Sequence, residues 1–256
     1  MRRFHIPPQP RSAIKCTLLT VAISGGLLVP GTVARQAKDY PLESIAGLRL
    51  HNVAATPATL QGKKGLRITL SEEAQRRLQT MTPDEQARFP QFASIDGVEF
   101  ANGVIEAEIA GAPAPGAPEG ARGFVGIAFR LQNDLVTYDV FYLRPTNGRA
   151  EDQERRNHAV QYSSHPDWPW FRLRKETPSK YEAYVDLMPD VWTRIKIDVR
   201  GERARLYVHG QEQPTLIVND LKTGAQGKGG VALFLDRGTV AHFRSLRVEP
   251  IASKSE

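Results

Sequence analysis

Short stretches in which apolar and polar residues alternate recur along the chain between residues 48 and 248. Residues 192–199 show the pattern well, because Ile195, Ile197 and Val199 alternate with charged residues. A period of two is typical of a β-strand with one buried face. The other predicted strands are residues 48–54, 66–70, 104–109, 123–131, 135–143, 181–185, 205–210, 215–218, 231–235 and 241–248. No long amphipathic segment separates them, so the pattern predicts an all-β fold, an antiparallel two-sheet sandwich.

Residues 71–90 interrupt this pattern. Ser71 precedes two glutamates, and Thr82 precedes a proline and two acidic residues. A hydroxyl residue followed by an acidic first turn is typical of a helix N-terminus. We predict one or two short helices here and interpret them as a surface insertion without a functional role.

The N-terminus has the features of a secretory signal peptide. A basic segment, with Arg2, Arg3, Arg11 and Lys15, precedes an apolar stretch at residues 16–29. Small residues then lead to a predicted cleavage site after Ala34. The predicted organisation is a signal peptide at 1–34, a flexible lead-in at 35–47 and one domain at 48–250. This organisation predicts a secreted or periplasmic protein with no membrane partner after cleavage, since the apolar stretch is short for a bilayer span. An uncleaved anchor is the alternative.

Removing residues 1–34 changes the charge and the cysteine count. The formal charge of +6 falls to +2, because the segment holds four basic residues and no acidic one. The high pI of the whole chain therefore gives little reason to expect a nucleic-acid partner, and we predict none. Cys16, the one cysteine, leaves with the segment, so the secreted chain has no disulfide and no thiolate metal site.

Residues 138–186 concentrate side chains that a sheet core does not need, and we predict a ligand site there. Flat rings suit the C–H faces of a sugar, and arginine and amide groups suit its hydroxyls. The predicted contact residues are Tyr142, Arg144, Asn147, Arg149, Arg155, Asn157, Gln161, Tyr162, Trp168 and Trp170. The alternative is that both tryptophans cover the edge of the sandwich and the charges form a solvated loop.

The C-terminal strands carry a more specific pattern. Its parts are W-x-R-I-K-I-x-V-x-G at 192–201, A-R-L-Y-V-x-G at 204–210, G-G-V-A-L-F at 229–234 and A-x-F-x-x-L-x-V at 241–248. This order resembles the concanavalin A-like lectin/glucanase jelly roll in its laminin-G-like branch. It is also similar to bacterial secreted domains named 3-keto-disaccharide hydrolases. The resemblance implies a jelly roll whose curved front sheet holds sugar. Residues 106–108 lack the third carboxylate of the glucanase motif, so no catalytic residue is transferred.

Two kinds of catalysis are open to these residues. Hydrolysis needs two carboxylates on either side of the glycosidic bond, for which Asp152, Glu176 and Glu182 are candidates. Elimination would use a near-neutral base such as His158.

Three functions follow as hypotheses. The first is a carbohydrate-binding, lectin-like domain. The second is a glycoside hydrolase or lyase on the same scaffold, and the third is a protein-interaction module, because fold alone does not decide. No cofactor is predicted. Calcium is common in the superfamily that the chain resembles, and Asp220 and Asp236 are its candidates here.

Overall fold

The structure, a computed structural model, describes residues 36–251. Within these residues the chain forms fifteen β-strands, four short α-helices and one 3-10 helix. The strands are β1 (Lys38–Tyr40), β2 (Leu48–His51), β3 (Val53–Leu60), β4 (Lys63–Leu70), β5 (Phe92–Ile95), β6 (Gly103–Pro113), β7 (Val125–Leu131), β8 (Tyr138–Leu143), β9 (Val160–His165), β10 (Glu182–Ala183), β11 (Thr193–Arg200), β12 (Arg203–Val208), β13 (Leu216–Val218), β14 (Gly230–Leu235) and β15 (Thr239–Pro250). The helices are α1 (Glu72–Leu78), α2 (Pro83–Ala87), α3 (Gln153–Asn157) and α4 (Trp170–Glu176), and the 3-10 helix is Pro145–Asn147.

The strands form two antiparallel sheets. The eight-stranded sheet has the order β13-β12-β11-β6-β15-β4-β3, with β1 added beside β15. The seven-stranded sheet has the order β10-β9-β8-β7-β14-β5-β2. The predicted all-β, two-sheet sandwich with a short helical insertion is thus confirmed.

The core lies between the two sheets and follows the alternation in the sequence. On β11, Ile195, Ile197 and Val199 are buried and the residues between them are more exposed. Phe129 and Phe141 on the facing sheet belong to the same buried cluster. Burying side chains of this size stabilises the fold by about 1.5–3 kcal/mol each.

The N-terminal part of the described chain differs from the predicted flexible lead-in. Lys38–Tyr40 forms β1 and pairs with residues 246–248 of β15. On that side of β15, β4 pairs only with residues 241–243, so backbone groups further along stay available for another strand. The predicted signal peptide lies outside the described residues. Between residues 36 and 251, no helix is both long enough and apolar enough to cross a membrane.

The outer face of the seven-stranded sheet is unusually apolar. The solvent side of an antiparallel sheet is commonly polar, yet this face carries a second buried cluster. Its members are Phe92, Ala128, Leu131, Tyr138, Val140, Tyr142, Ala232 and Phe234. These side chains are separate from the core between the sheets and form a second apolar cluster on this face.

Candidate functional site

Arg144 lies at the end of the strand β8 in this sheet. It follows β8 directly, and strand register places Tyr142 beside Gln161 of β9, which is beside Glu182 of β10. The Arg144 guanidinium donates to Glu182 at 2.8 Å, to the Gln161 side-chain oxygen at 2.9 Å and to the Tyr142 hydroxyl at 3.3 Å. Only 4% of Arg144 is exposed, so these partners fix the direction of its guanidinium.

Glu182 connects the paired strands β8, β9 and β10 to the helix α4. Arg174 of α4 donates to both carboxylate oxygens, with Nε 3.0 Å from Oε2, and His158 Nε2 lies 3.5 Å from Oε2. Burial raises the pKa of Glu182, but hydrogen bonds from Arg174 and Arg144 outweigh burial, so the net pKa is lowered. Glu182 is therefore an ionised carboxylate that holds α4 against the sheet, and both of its oxygens are engaged.

The lowered pKa of Glu182 predicts an acid-sensitive contribution to stability. A carboxylate whose pKa is lower in the folded state stabilises the fold at pH values above its unfolded-state pKa, which is about 4.3. This contribution is lost as the pH falls through the folded-state pKa. We expect the free energy of unfolding to decrease between pH 5 and pH 2, as measured by urea titration. The decrease should be smaller in Glu182→Gln, which has no carboxyl to protonate at this position. Equal decreases in both proteins would assign the acid sensitivity to other carboxylates.

His158 lies beside this pair, and Asp152 is a second polar side chain of the same region. The pKa of the His158 imidazole is lowered, first by burial and then by Arg174 and Arg144, against an opposing effect of Glu182. The ring is therefore neutral at pH 7 and able to accept a proton. The Asp152 carboxylate accepts from the Arg155 backbone N–H at 2.8 Å and caps α3.

A first cavity of about 340 Å³ opens above Arg144. It is lined by cations, two carboxylates and two rings. The lining residues are Gly120, Arg122, Phe124, Arg144, Asn147, Asp152, Glu154, Arg155, His158, Trp170 and Arg174. Asn147 and Arg155 hold one another, since Arg155 Nε donates to Asn147 Oδ1 at 3.0 Å. The cavity therefore combines polar groups held in place by hydrogen bonds with aromatic surface.

A second cavity of about 320 Å³ adjoins the first, and Phe124 and Trp170 line both. Its walls are mainly aromatic, with one carboxyl group. They include Leu78, Gln86, Gln91, Tyr138, Tyr142, His165, Pro169, Phe171, Phe234, Asp236 and Arg237. Burial raises the pKa of Asp236, although the Arg237 backbone N–H and the positive charges of Arg237 and Arg144 oppose this effect.

The helical insertion contributes to this second cavity. Leu78 of α1 and Gln86 of α2 line its wall, and Gln86 accepts from Arg237 at 2.6 Å. The insertion is thus part of the wall of the second cavity, and the interpretation that it has no functional role stays a prediction.

The two tryptophans of the central stretch have different positions. Trp170 begins α4, is 41% exposed and lies beneath the guanidiniums of Arg174 and Arg144, at 4.7 and 5.6 Å from its ring. Trp168 packs against the core between the sheets, with the Arg172 guanidinium 3.9 Å from its ring. The ligand-platform interpretation thus suits Trp170, and the edge-packing alternative suits Trp168.

The structure brings together about half of the predicted contact residues. Tyr142, Arg144, Asn147, Arg155 and Trp170 line one or both cavities. Gln161 lies directly behind Arg144 and is fully buried. Of the candidate catalytic groups, Asp152 and His158 line the first cavity, and Glu182 lies behind it.

Other predicted contact residues lie outside the cavities. The prediction that Tyr162 contacts a ligand needs correction, because the residue is fully buried between the sheets and donates to Asp139 at 2.7 Å. Arg149 forms an exposed ion pair with Asp186, and Asn157 accepts from Gln153 on α3. Glu176 pairs with Arg172 along α4, on the protein surface. Trp168 is the remaining residue of this group.

Several cavity residues come from distant parts of the sequence. Arg122 and Phe124 precede β7, and Asp236 follows β14. The Asp236 backbone N–H donates to the Phe124 carbonyl at 3.3 Å. These residues could be predicted from the sequence only if the strand order were known, because the pairing of β7 with β8 and β14 places them beside Arg144.

The described residues contain no group of three or more His, Cys, Asp or Glu that could hold a metal ion. Asp220 accepts from Lys180, Tyr181 and Lys222. Burial would raise its pKa, but these three hydrogen bonds lower it to about 2. Asp236 lines the second cavity. Calcium binding by Asp220 or Asp236 stays a prediction.

Comparison with known proteins gives a fold and no family. No protein-family model and no curated protein matches the chain. The chain is similar to a Bacillus subtilis protein of unknown function with a galectin-like fold, at 10% identity and a TM-score of 0.51, covering 87% of this chain and 100% of that one. It is also similar to a carbohydrate-binding module from Bacillus subtilis, at 10% identity and a TM-score of 0.48, covering 78% and 98%. A Bacillus licheniformis β-glucanase matches at 14% identity and a TM-score of 0.40, covering 83% and 97%.

These likenesses concern the fold. The likeness to the galectin-like protein supports the jelly-roll fold that the C-terminal pattern implied. The finer resemblance to disaccharide hydrolases is not confirmed.

Proposed function

We propose that the protein is a secreted carbohydrate-binding domain whose ligand lies across the outer face of the seven-stranded sheet. The observation that carries the proposal is the position of Trp170, 41% exposed on a wall shared by two adjoining cavities. A partly exposed indole between a polar and a mainly aromatic cavity matches a sugar ring, which has an apolar C–H face and a polar rim.

The size and polarity of the cavities support a saccharide. At about 340 and 320 Å³, each is near the lower end of the range of roughly 300–1,000 Å³ that ligand sites occupy. Two adjoining cavities of this size suit neighbouring units of an oligosaccharide. Arg144 is held by Glu182 and Gln161, so hydroxyl recognition would not require ordering a mobile side chain.

The test is a glycan-array screen of the protein without its predicted signal peptide, followed by mass spectrometry of every bound glycan. We expect binding without cleavage. The array should contain both neutral and acidic glycans, because the two cavities differ in charge. Absence of binding to every glycan would contradict the proposal and favour the protein-interaction module.

A glycoside hydrolase or lyase is the second candidate function. It is favoured by two side chains whose pKa values are shifted toward the values that a general acid and a general base need. Burial raises the pKa of Asp236 in the second cavity, which favours a proton donor, and the lowered pKa of His158 in the first favours a proton acceptor. Cleavage in the array assay that is lost in Asp236→Asn, with binding retained, would support this function over simple binding. The product mass would separate hydrolysis from elimination, because hydrolysis adds water.

A further inference from the structure

Four arginines line the first cavity, but a carboxylate pairs with only two of them. Arg144 and Arg174 both bond Glu182. Within residues 36–251, Arg122 and Arg155 have no carboxylate within ion-pair distance. The guanidiniums of Arg122 and Arg155 donate only to neutral oxygens among these residues.

Each of these two guanidiniums keeps unused donors. Arg122 donates through Nη1 alone, to the carbonyls of Glu119 and Ala121 at 2.6 and 3.2 Å. Arg155 donates through Nε to Asn147 and through Nη2 to the Thr146 carbonyl and hydroxyl. A guanidinium has five N–H donors, so both side chains can still bind an acceptor in the cavity.

The positive charges of the arginines around the cavity repel one another. The pKa of the Arg122 guanidinium is lowered by burial and then by the positive charges of Arg155 and Arg144, against which only Glu119 acts. Asp152 and Glu154 also line the cavity, and Glu182 lies behind it, so the four arginines exceed these three carboxylates by one charge. An anion between Arg122 and Arg155 would relieve this repulsion.

A ligand for this cavity must satisfy both the arginines and the ring of Trp170. A guanidinium fork matches a carboxylate or sulfate through paired hydrogen bonds. An acidic sugar carries such an oxyanion together with an apolar ring face. From this combination, we propose that the first cavity binds the acidic unit of a saccharide, with its carboxylate or sulfate held between Arg122 and Arg155. This inference rests on the proposed carbohydrate-binding function and adds the class of ligand.

The experiment measures dissociation constants by calorimetry for five probes. They are oligogalacturonate, the same oligomer with its carboxylates methyl-esterified, a sulfated galactan, the desulfated galactan and a neutral cello-oligosaccharide. We expect at least one acidic probe to bind about tenfold or more tightly than its neutralised counterpart, with a dissociation constant that rises with salt. Preference for oligogalacturonate would identify a carboxylate ligand, and preference for the sulfated galactan a sulfate ligand.

Two outcomes separate this inference from the proposed function. Equal affinity for acidic and neutralised probes would overturn the inference and leave saccharide binding intact. Absence of binding to all five probes and to the glycan array would overturn both.

Variants connect the result to the two arginines. Arg122→Gln should weaken binding of the preferred acidic probe about tenfold and weaken binding of its neutralised counterpart by less. Arg122→Lys keeps the charge but not the planar fork, and should give an intermediate value. Arg155→Gln should act as Arg122→Gln does, with a thermal melt to confirm folding because Arg155 also bonds Thr146. The matched control is Arg203→Gln, an exposed arginine on β12 of the other sheet, which removes the same charge. If Arg122→Gln and Arg203→Gln bind alike, the assignment to this cavity is wrong.

Discussion

Replacing Trp170 with alanine is expected to weaken saccharide binding by about 30-fold or more, since an aromatic residue at the centre of a binding site commonly contributes about 2 kcal/mol or more. The ring lies on the wall between the two cavities, so its loss removes contact area from both sugar positions at once. Titration calorimetry against the best glycan from the array would measure this change.

The same variant should remain folded. Trp170 is 41% exposed, and its main partners are the guanidiniums of Arg144 and Arg174. Losing contacts of this kind costs about 0.5–1 kcal/mol each at partly exposed sites. For a domain of this size, we expect the melting temperature to fall by a few degrees, at about 2–4 °C per kcal/mol.

Ile217→Ala is the control for Trp170→Ala, because Ile217 is 46% exposed and lies on β13 at the far edge of the other sheet. The control should bind glycan as the wild type does. Loss of binding in both variants, or unfolding of Trp170→Ala, would show that the indole has a structural role in place of the proposed contact with ligand.

Replacing Glu182 with glutamine is expected to reduce the free energy of unfolding by about 3 kcal/mol, the lower end of the range for breaking a buried ion pair. The side chains of Arg144 and Glu182 are 5% and 2% exposed, so water cannot replace the lost carboxylate. Glutamine keeps one acceptor oxygen, but the positive charge of Arg144 would remain buried without its counter-ion. Urea unfolding at pH 7 measures the change.

Asp186→Asn is the control for Glu182→Gln. The pair of Asp186 with Arg149 has the same chemistry, but 51% and 60% of the two side chains are exposed. Exposed ion pairs contribute little, so this variant should unfold close to the wild type. Equal stability of Glu182→Gln and Asp186→Asn would mean that the buried cluster does not depend on the carboxylate charge.

The fold was readable from the sequence because strand periodicity and helix caps are local signals. The alternation at Ile195, Ile197 and Val199 places them in the core, as predicted. Ser71 and Thr82 cap α1 and α2 as predicted, with the Ser71 hydroxyl accepting from the Ala74 backbone N–H at 3.1 Å.

The site was only partly readable, because it depends on register and strand order. Tyr162 pairs with Phe141, and both rings face the core, whereas Tyr142 one residue further on faces the cavities. A shift of one residue in register reverses the face of every side chain, and a single strand sequence does not determine register. Arg122 and Asp236 reach the cavities only through long-range pairing of strands.

The pairing of β1 with β15 has a consequence for how the domain can be displayed. Lys38 lies opposite Val248, so the first and last described strands run side by side on the eight-stranded sheet. Both cavities open on the outer face of the other sheet. A linker, tag or solid support joined to the chain next to residue 36 or residue 251 would therefore be attached on the side away from the arginines and Trp170. A domain tethered in this way would keep both cavities accessible, so either position is suitable for immobilisation in a binding assay.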